Sequence, residues 1–167
     1  YKLTIDVQDY DNSELELNDV SISLKNDNGT ISFEDNVAQV TDIGWYTVNV
    51  KAEGYVSYNY RLHMGYSDST RVIRLVKDSS DTGTVNIQVV DYINWLPVNE
   101  SVQLYTLDDN LNQILVGEYK TGVEIGADTG WTGTISLSPG YYLPYVENGY
   151  HYFAQPIIIA SGGNIST

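Results

Sequence analysis

Apolar and polar residues alternate along this chain with a period of two, and no window of a dozen residues carries a helical stripe. Leu3, Ile5 and Val7 alternate with Thr4 and Asp6, Val20, Ile22 and Leu24 with Ser21 and Ser23, and Val48 and Val50 flank Asn49. Side chains on an extended strand point to opposite faces in turn, so this pattern predicts short, half-buried strands of about five to seven residues. Asp27-Asn28-Gly29, Asp42-Ile43-Gly44 and Ala52-Glu53-Gly54 punctuate them with residues that tolerate positive φ. The expected fold class is all-β.

The second half follows the order of the first. Val7-Gln8-Asp9-Tyr10 matches Val89-Val90-Asp91-Tyr92, 82 residues on, and at that offset Asn12 falls on Asn94, Val20 on Val102 and Ile22 on Leu104. Gly44-Trp45-Tyr46, Val50 and Gly54-Tyr55 then correspond to Gly140-Tyr141-Tyr142, Val146 and Gly149-Tyr150, at offsets of 96 and 95. The growing offset predicts an insertion of about a dozen residues in the second copy, within Leu107 to Asp128, around an extra or longer hairpin. An alternative alignment pairs Asp42-Ile43-Gly44-Trp45 with Asp128-Thr129-Gly130-Trp131; the first is preferred because both its Gly-aromatic-Tyr starts lead into a strand ending at a Gly-Tyr turn.

Leu137-Ser138-Pro139-Gly140-Tyr141-Tyr142 with Asn148-Gly149-Tyr150, and Ile43-Gly44-Trp45-Tyr46 with Glu53-Gly54-Tyr55, resemble the carboxypeptidase-regulatory-like and collagen-adhesin B-type domains of surface proteins. The resemblance covers most of both halves and implies two tandem Ig-like or transthyretin-like β-sandwich domains. Turn chemistry explains the motif: proline presets one corner, glycine supplies the next conformation, and the strand carrying tyrosine returns in register. Tyr46 and Tyr142 are expected to be structural, covering the sheet edge with their hydroxyls in solvent. Some relatives in that group carry a Lys-to-Asn isopeptide bond. Lys2 supplies a lysine, but Arg71 to Val76 contains no Asn and the second half opens without Lys, so no such bond is expected.

The expected boundaries are 1–77 for the first sandwich, 78–83 for a polar linker and 84–167 for the second. The first closes with Arg71 to Val76; the second reaches the equivalent loop at Ser161-Gly162-Gly163 and is expected to lack its last strand. Either the natural chain continues past Thr167 or a neighbouring subunit donates the strand. A start at Tyr1 fits a processed chain or a fragment.

A net charge of −14, from 22 acidic against 8 basic residues, opposes binding to nucleic acid or an anionic membrane. With no cysteine, packing and ladder hydrogen bonds must hold the fold. The longest apolar run, Ile157 to Ala160, is far below the roughly 20 residues of a membrane helix. His63 and His151 have no nucleophile motif beside them, so neither catalysis nor a cofactor is expected. The expected function is a structural subunit or stalk of an extracellular, cell-surface filament or adhesin, a homo-oligomer assembled end to end. A carbohydrate-binding accessory module is the alternative.

Three Asn-x-Ser/Thr sequons make Asn28, Asn99 and Asn164 the candidate glycan sites, with Asn28 expected in a hairpin turn and Asn164 in a terminal loop. Tyr58 with Tyr60, and Tyr150 with Tyr152, share strand faces; with Trp95 and Trp131 in loops they are the candidates for sugar stacking or subunit contact. Asp9 to Glu14 spaces its oxygens like a cation loop but lacks a Gly at the sixth position. A solvated turn is therefore expected there, with Asp9 and Asp11 the calcium candidates and no metal site assigned.

Overall fold

A computed structural model describes residues 1–122, 129–146 and 156–167. The chain is all-β and divides into two compact units, 1–78 with the turn 107–112, and 79–106 with 113–167. The first unit contains β1 (Lys2–Asp9), β2 (Ser21–Asn26), β3 (Gly29–Ile31), β4 (Val37–Gln39), β5 (Gly44–Lys51), β6 (Tyr58–Met64) and β7 (Ser69–Leu75). The second contains β8 (Gly83–Asn86), β9 (Ser101–Leu107), β10 (Gln113–Lys120), β11 (Ile135–Leu137), β12 (Gly140–Val146), β13 (Ile157–Ile159) and β14 (Asn164–Ser166).

Each unit is a β-sandwich of a three-stranded and a four-stranded sheet. The first has the orders β4-β1-β7 and β3-β2-β5-β6; the second has β11-β8-β14 and β10-β9-β12-β13. Adding seven to each strand number converts one arrangement into the other. In both, the opening and closing strands run parallel: Leu3 pairs with Ser69 and Asp9 with Leu75, as Thr84 pairs with Asn164 and Asn86 with Ser166. Parallel neighbours cannot be joined by a tight turn, so each unit is closed by its least local pairing.

The closing strand expected to be missing from the second unit is therefore present. It is three residues long against seven in β7, and two further backbone bonds, Thr167 N–H to Asn86 O and Gln88 N–H to Thr167 O, prolong its pairing. Sequence matching missed it because Ile165 is its only large apolar side chain. Asn164 accordingly opens a paired strand and does not lie in a terminal loop.

Alternation sorts side chains as expected. Leu3 and Ile5 are buried while Lys2 and Asp6 are exposed; Tyr46, Val48 and Val50 are buried on one face of β5 while Trp45 stands outside. In the second unit Val85, Val102, Leu104, Ile135, Tyr142 and Ile159 share one core. Glycine is required at Gly83: a Cβ there would lie 2.3 Å from the carbonyl oxygen of Ala160 and 2.7 Å from Ile159 Cγ2.

Register corrects one part of the sequence alignment. Ile22 lies opposite Val50 and Leu24 opposite Val48, as Val102 lies opposite Val146 and Leu104 opposite Pro144. Ile22 thus corresponds to Val102, not to Leu104, and Val20 falls outside β2. A two-residue slip returns every side chain to the same face, so alternation alone cannot detect it.

Tyr46 and Tyr142 occupy matching places. The Tyr46 hydroxyl donates to the carbonyl of Asp42 at 2.6 Å and the Tyr142 hydroxyl to the carbonyl of Ser138 at 2.7 Å, each four residues back, and both side chains are buried. The hydroxyls therefore do not reach solvent. A ring that fills the core needs a partner for its O–H, and the carbonyl of the preceding turn supplies it, as in the tyrosine corner of immunoglobulin-type sandwiches. Gly44 has φ of +141° whereas Gly140 is not at positive φ, so the tyrosine anchor, rather than a shared glycine conformation, is what the two turns have in common. Tyr46→Phe and Tyr142→Phe should each lower stability by about 1 kcal/mol, since the bond that ties the strand to its preceding turn is lost while the ring stays in place; urea unfolding measures this, and a change below about 0.3 kcal/mol in both would contradict the anchor.

Candidate functional site

Matching loops after β1 and β8 share a skeleton and differ in what they present. Asp9 Oδ1 accepts the backbone N–H of Asp11 and of Asn12, both at 2.8 Å. Asp91 Oδ1 accepts those of Ile93 and Asn94 at 2.8 and 3.1 Å. A short acidic side chain that bonds its own backbone two and three residues on sets the same turn twice.

In the first unit this turn is tied inward. Asp9 is buried; its Oδ2 accepts the Tyr55 hydroxyl at 2.6 Å and lies 3.7 Å from Lys77 Nζ. Burial raises the Asp9 carboxyl, but the bonds from Tyr55, Asn12 and Asp11, together with Lys77, outweigh it and leave the carboxyl below its ordinary value. Burial and the bond to Asp9 push the Tyr55 phenol up to about 12. Both Asp9 oxygens are thus engaged by protein donors, which gives the carboxylate a structural role in this turn. Among the described residues no group of three or more His, Cys, Asp or Glu has metal-binding geometry.

A carboxyl whose folded pKa is lowered adds stability above its unfolded value, near 4, and that stability fades as pH falls through the folded value. A phenol whose folded pKa is raised contributes fully below its unfolded value, near 10, and loses that contribution as pH climbs through about 12. The first unit should therefore be most stable between about pH 5 and 9, with Asp9→Asn lowering stability at pH 7 by about 2–3 kcal/mol and flattening the acid limb. Denaturant midpoints across pH check this; an unchanged acid limb in Asp9→Asn would contradict it.

The second unit's loop is turned outward. Tyr92 is 85% exposed, Ile93 87%, Trp95 71% and Leu96 60%. Asp91 N–H donates to Leu96 O and Trp95 N–H to Asp91 O, both at 2.8 Å; Leu96 N–H reaches Asn94 Oδ1 at 2.9 Å, and Val90 bridges Pro97. Trp95 is held at φ +58°, a left-handed conformation that a bulky residue adopts at a cost of about 1–2 kcal/mol. At the offset that superposes Asp9 on Asp91, the first unit has Asp11, Ser13 and Glu14 where the second has Ile93, Trp95 and Leu96. Polar residues follow the same aspartate cap in the first unit, so the capped start of the turn does not require apolar side chains, whereas the left-handed conformation of Trp95 has no counterpart at Ser13.

The remaining aromatic candidates divide. Tyr58 and Tyr60 share a face, but it is the face of buried Leu62 and Met64; both rings are half-buried and tilted 41° to each other, so they form no flat exposed platform. Trp131 is half-buried and bridges Gln88, so it does not stand in an open loop. Tyr150 and Tyr152, with His151, lie outside the described residues. Sequence reading passed over Tyr92, whose ring centroid lies 6.5 Å from that of Trp95, because its match to Tyr10 read as part of the repeat. Trp45, against His63 at 5.1 Å, and Tyr66 are also exposed.

All three sequon asparagines are exposed. Asn28 sits in the β2–β3 turn, its side-chain amide donating to Asp42 at 3.1 Å. A Cβ on Gly122 would meet the Asn99 side chain at 2.3 Å, so that asparagine lies closely against the Gly122 backbone.

No family model matches the chain, and no curated protein matches it. Among solved structures it is similar to the Bacillus anthracis TIE protein, at 17% identity and a TM-score of 0.34, over 99% of this chain and 32% of that one. A streptococcal ancillary pilin matches at 15% identity and a TM-score of 0.32, over 99% of this chain and 60% of that one. The chain spans about a third and three fifths of the two, and both likenesses are too distant to transfer a function.

Proposed function

We propose that this chain is a structural subunit or stalk segment of an extracellular surface filament or adhesin, without enzymatic activity, in which the sandwiches act as spacers and the Tyr92–Leu96 tip makes contact with a partner. The observation that carries the reading is that tip: four large apolar side chains held in solvent on an aspartate-capped turn whose first-unit counterpart has polar residues at three of the four places. Large apolar groups clustered on a surface gain free energy only when a partner covers them. Two units of one strand order fit a modular extended protein. End-to-end assembly and glycans on Asn28, Asn99 or Asn164 belong to the same proposal.

Electron microscopy of native material tests it. Continuous fibres or stalks are expected, lost or shortened in Trp95→Ala combined with Ile93→Ser; isolated particles in native material, unaffected by the substitutions, would contradict the reading. The exposed Tyr92–Trp95 pair favours a second reading, stacking on the apolar face of a neutral sugar. Under that reading a polysaccharide changes tryptophan emission in the native chain and leaves Trp95→Ala unchanged.

A further inference from the structure

We infer that β10 is a self-pairing edge, at which a second copy of this chain adds its own β10 antiparallel across a twofold axis near Leu115. This contact goes beyond the filament reading and does not depend on it.

β10 is the last strand of its sheet and has no strand against its outer side among the described residues. An edge strand offers a row of N–H and C=O groups to any strand that can approach. Ile114, Leu115 and Val116 are 49%, 52% and 40% exposed. Consecutive strand residues point to opposite faces, so this edge is apolar on both.

The molecule's other edges show what is unusual here. β3, the counterpart of β10, is three residues long, as are the edge strands β4, β11, β13 and β14. The two longer edges carry charge or imidazole along their length, Arg61 and His63 on β6, Arg71 and Arg74 on β7. Short strands and charged side chains are the usual defences against edge-to-edge pairing. β10 has eight residues, and Gln113 to Gly117 at its centre carry no charge.

Charge selects a second copy's β10 as the occupant. The chain as a whole is at −14 and repels its copies, but β10 holds one Glu118 and one Lys120 and is locally neutral. In an antiparallel pair centred on Leu115, Ile114 faces Val116 of the second copy, Gln113 faces Gly117 and Asn112 faces Glu118, with no like charges opposed. Of the acids of the adjoining turn, Asp109 is paired with Lys51, and Asp108 keeps its charge outside the paired residues. Asp109 is lowered by hydrogen bonds from Lys51 and Asn59, and Asp108 by those from the Asn112 side chain and backbone. Pairing identical strands is isologous and closes at two copies. One strand pair buries less than the roughly 1,000 Å² of a stable interface, so the dimer is weak and concentration-dependent.

The chain has no cysteine, so a single introduced one forms disulfides only between copies. Leu115→Cys should oxidise to a disulfide-linked dimer at least tenfold faster than Tyr66→Cys, an exposed control on a loop. Sedimentation equilibrium of the chain carrying Trp95→Ala and Ile93→Ser, which removes assembly through the tip, should show mass rising from one copy toward two. Leu115→Lys, which sets two ammonium groups opposite each other, should hold it at one copy, with its unfolding midpoint unchanged as a check on folding. Equal oxidation rates for the two cysteines, a single-copy mass at every concentration, a dimer that survives Leu115→Lys, or growth past two copies would each overturn the assignment.

Discussion

Two tyrosine hydroxyls anchor the central strand of each sandwich to the turn that precedes it. In a chain with no disulfide, each four-stranded sheet has to be registered by packing and hydrogen bonds alone. Tyr46 and Tyr142 do this by filling the core with a ring and satisfying the carbonyl four residues back. The strands they start, β5 and β12, are each flanked on both sides, by β2 and β6 and by β9 and β13. Everything outward of these strands can then vary without disturbing the register. The closing parallel pairings of β1 with β7 and β8 with β14 complete the second sheet of each unit.

That freedom is where the two units diverge. One Asp-capped turn is tied inward by Tyr55 and Lys77 in the first unit, and its counterpart holds Tyr92, Ile93, Trp95 and Leu96 in solvent. One hairpin ends in a three-residue strand, and its counterpart ends in an eight-residue strand with an apolar, uncharged centre. Both differences convert a polar or short element of the first unit into an apolar one in the second. Under the proposed function the first unit acts as a spacer and the second makes the contact, although Trp45 and Tyr66 of the first unit are exposed as well.

The all-β fold was legible because alternation reports directly on which face of a strand is buried, and Leu3, Ile5, Val48 and Val50 fall as their spacing predicts. The Gly-aromatic-Tyr motif placed Tyr46 opposite Tyr142 correctly, since few positions accept a core tyrosine. The two-residue slip at Ile22 was illegible because it preserves facing. β14 was illegible because a three-residue strand with one large apolar side chain has no period to detect. For the site, Trp95 was named as a surface aromatic, but Tyr92 was absorbed into the repeat, and Ile114 to Val116 fell inside the expected inserted hairpin, where a run of apolar residues gives no sign that it forms an edge. Asp9 read as a solvated turn; its burial depends on Tyr55, 46 residues away, and no local pattern encodes that bond.

Hydrogen–deuterium exchange on assembled against dispersed native material tests the division of labour between the units most directly. Assembly should add protection at residues 92–96 and 113–117 and leave their first-unit counterparts, 10–14 and 29–31, unchanged. Protection confined to the first-unit segments, or spread evenly over both units, would contradict the account.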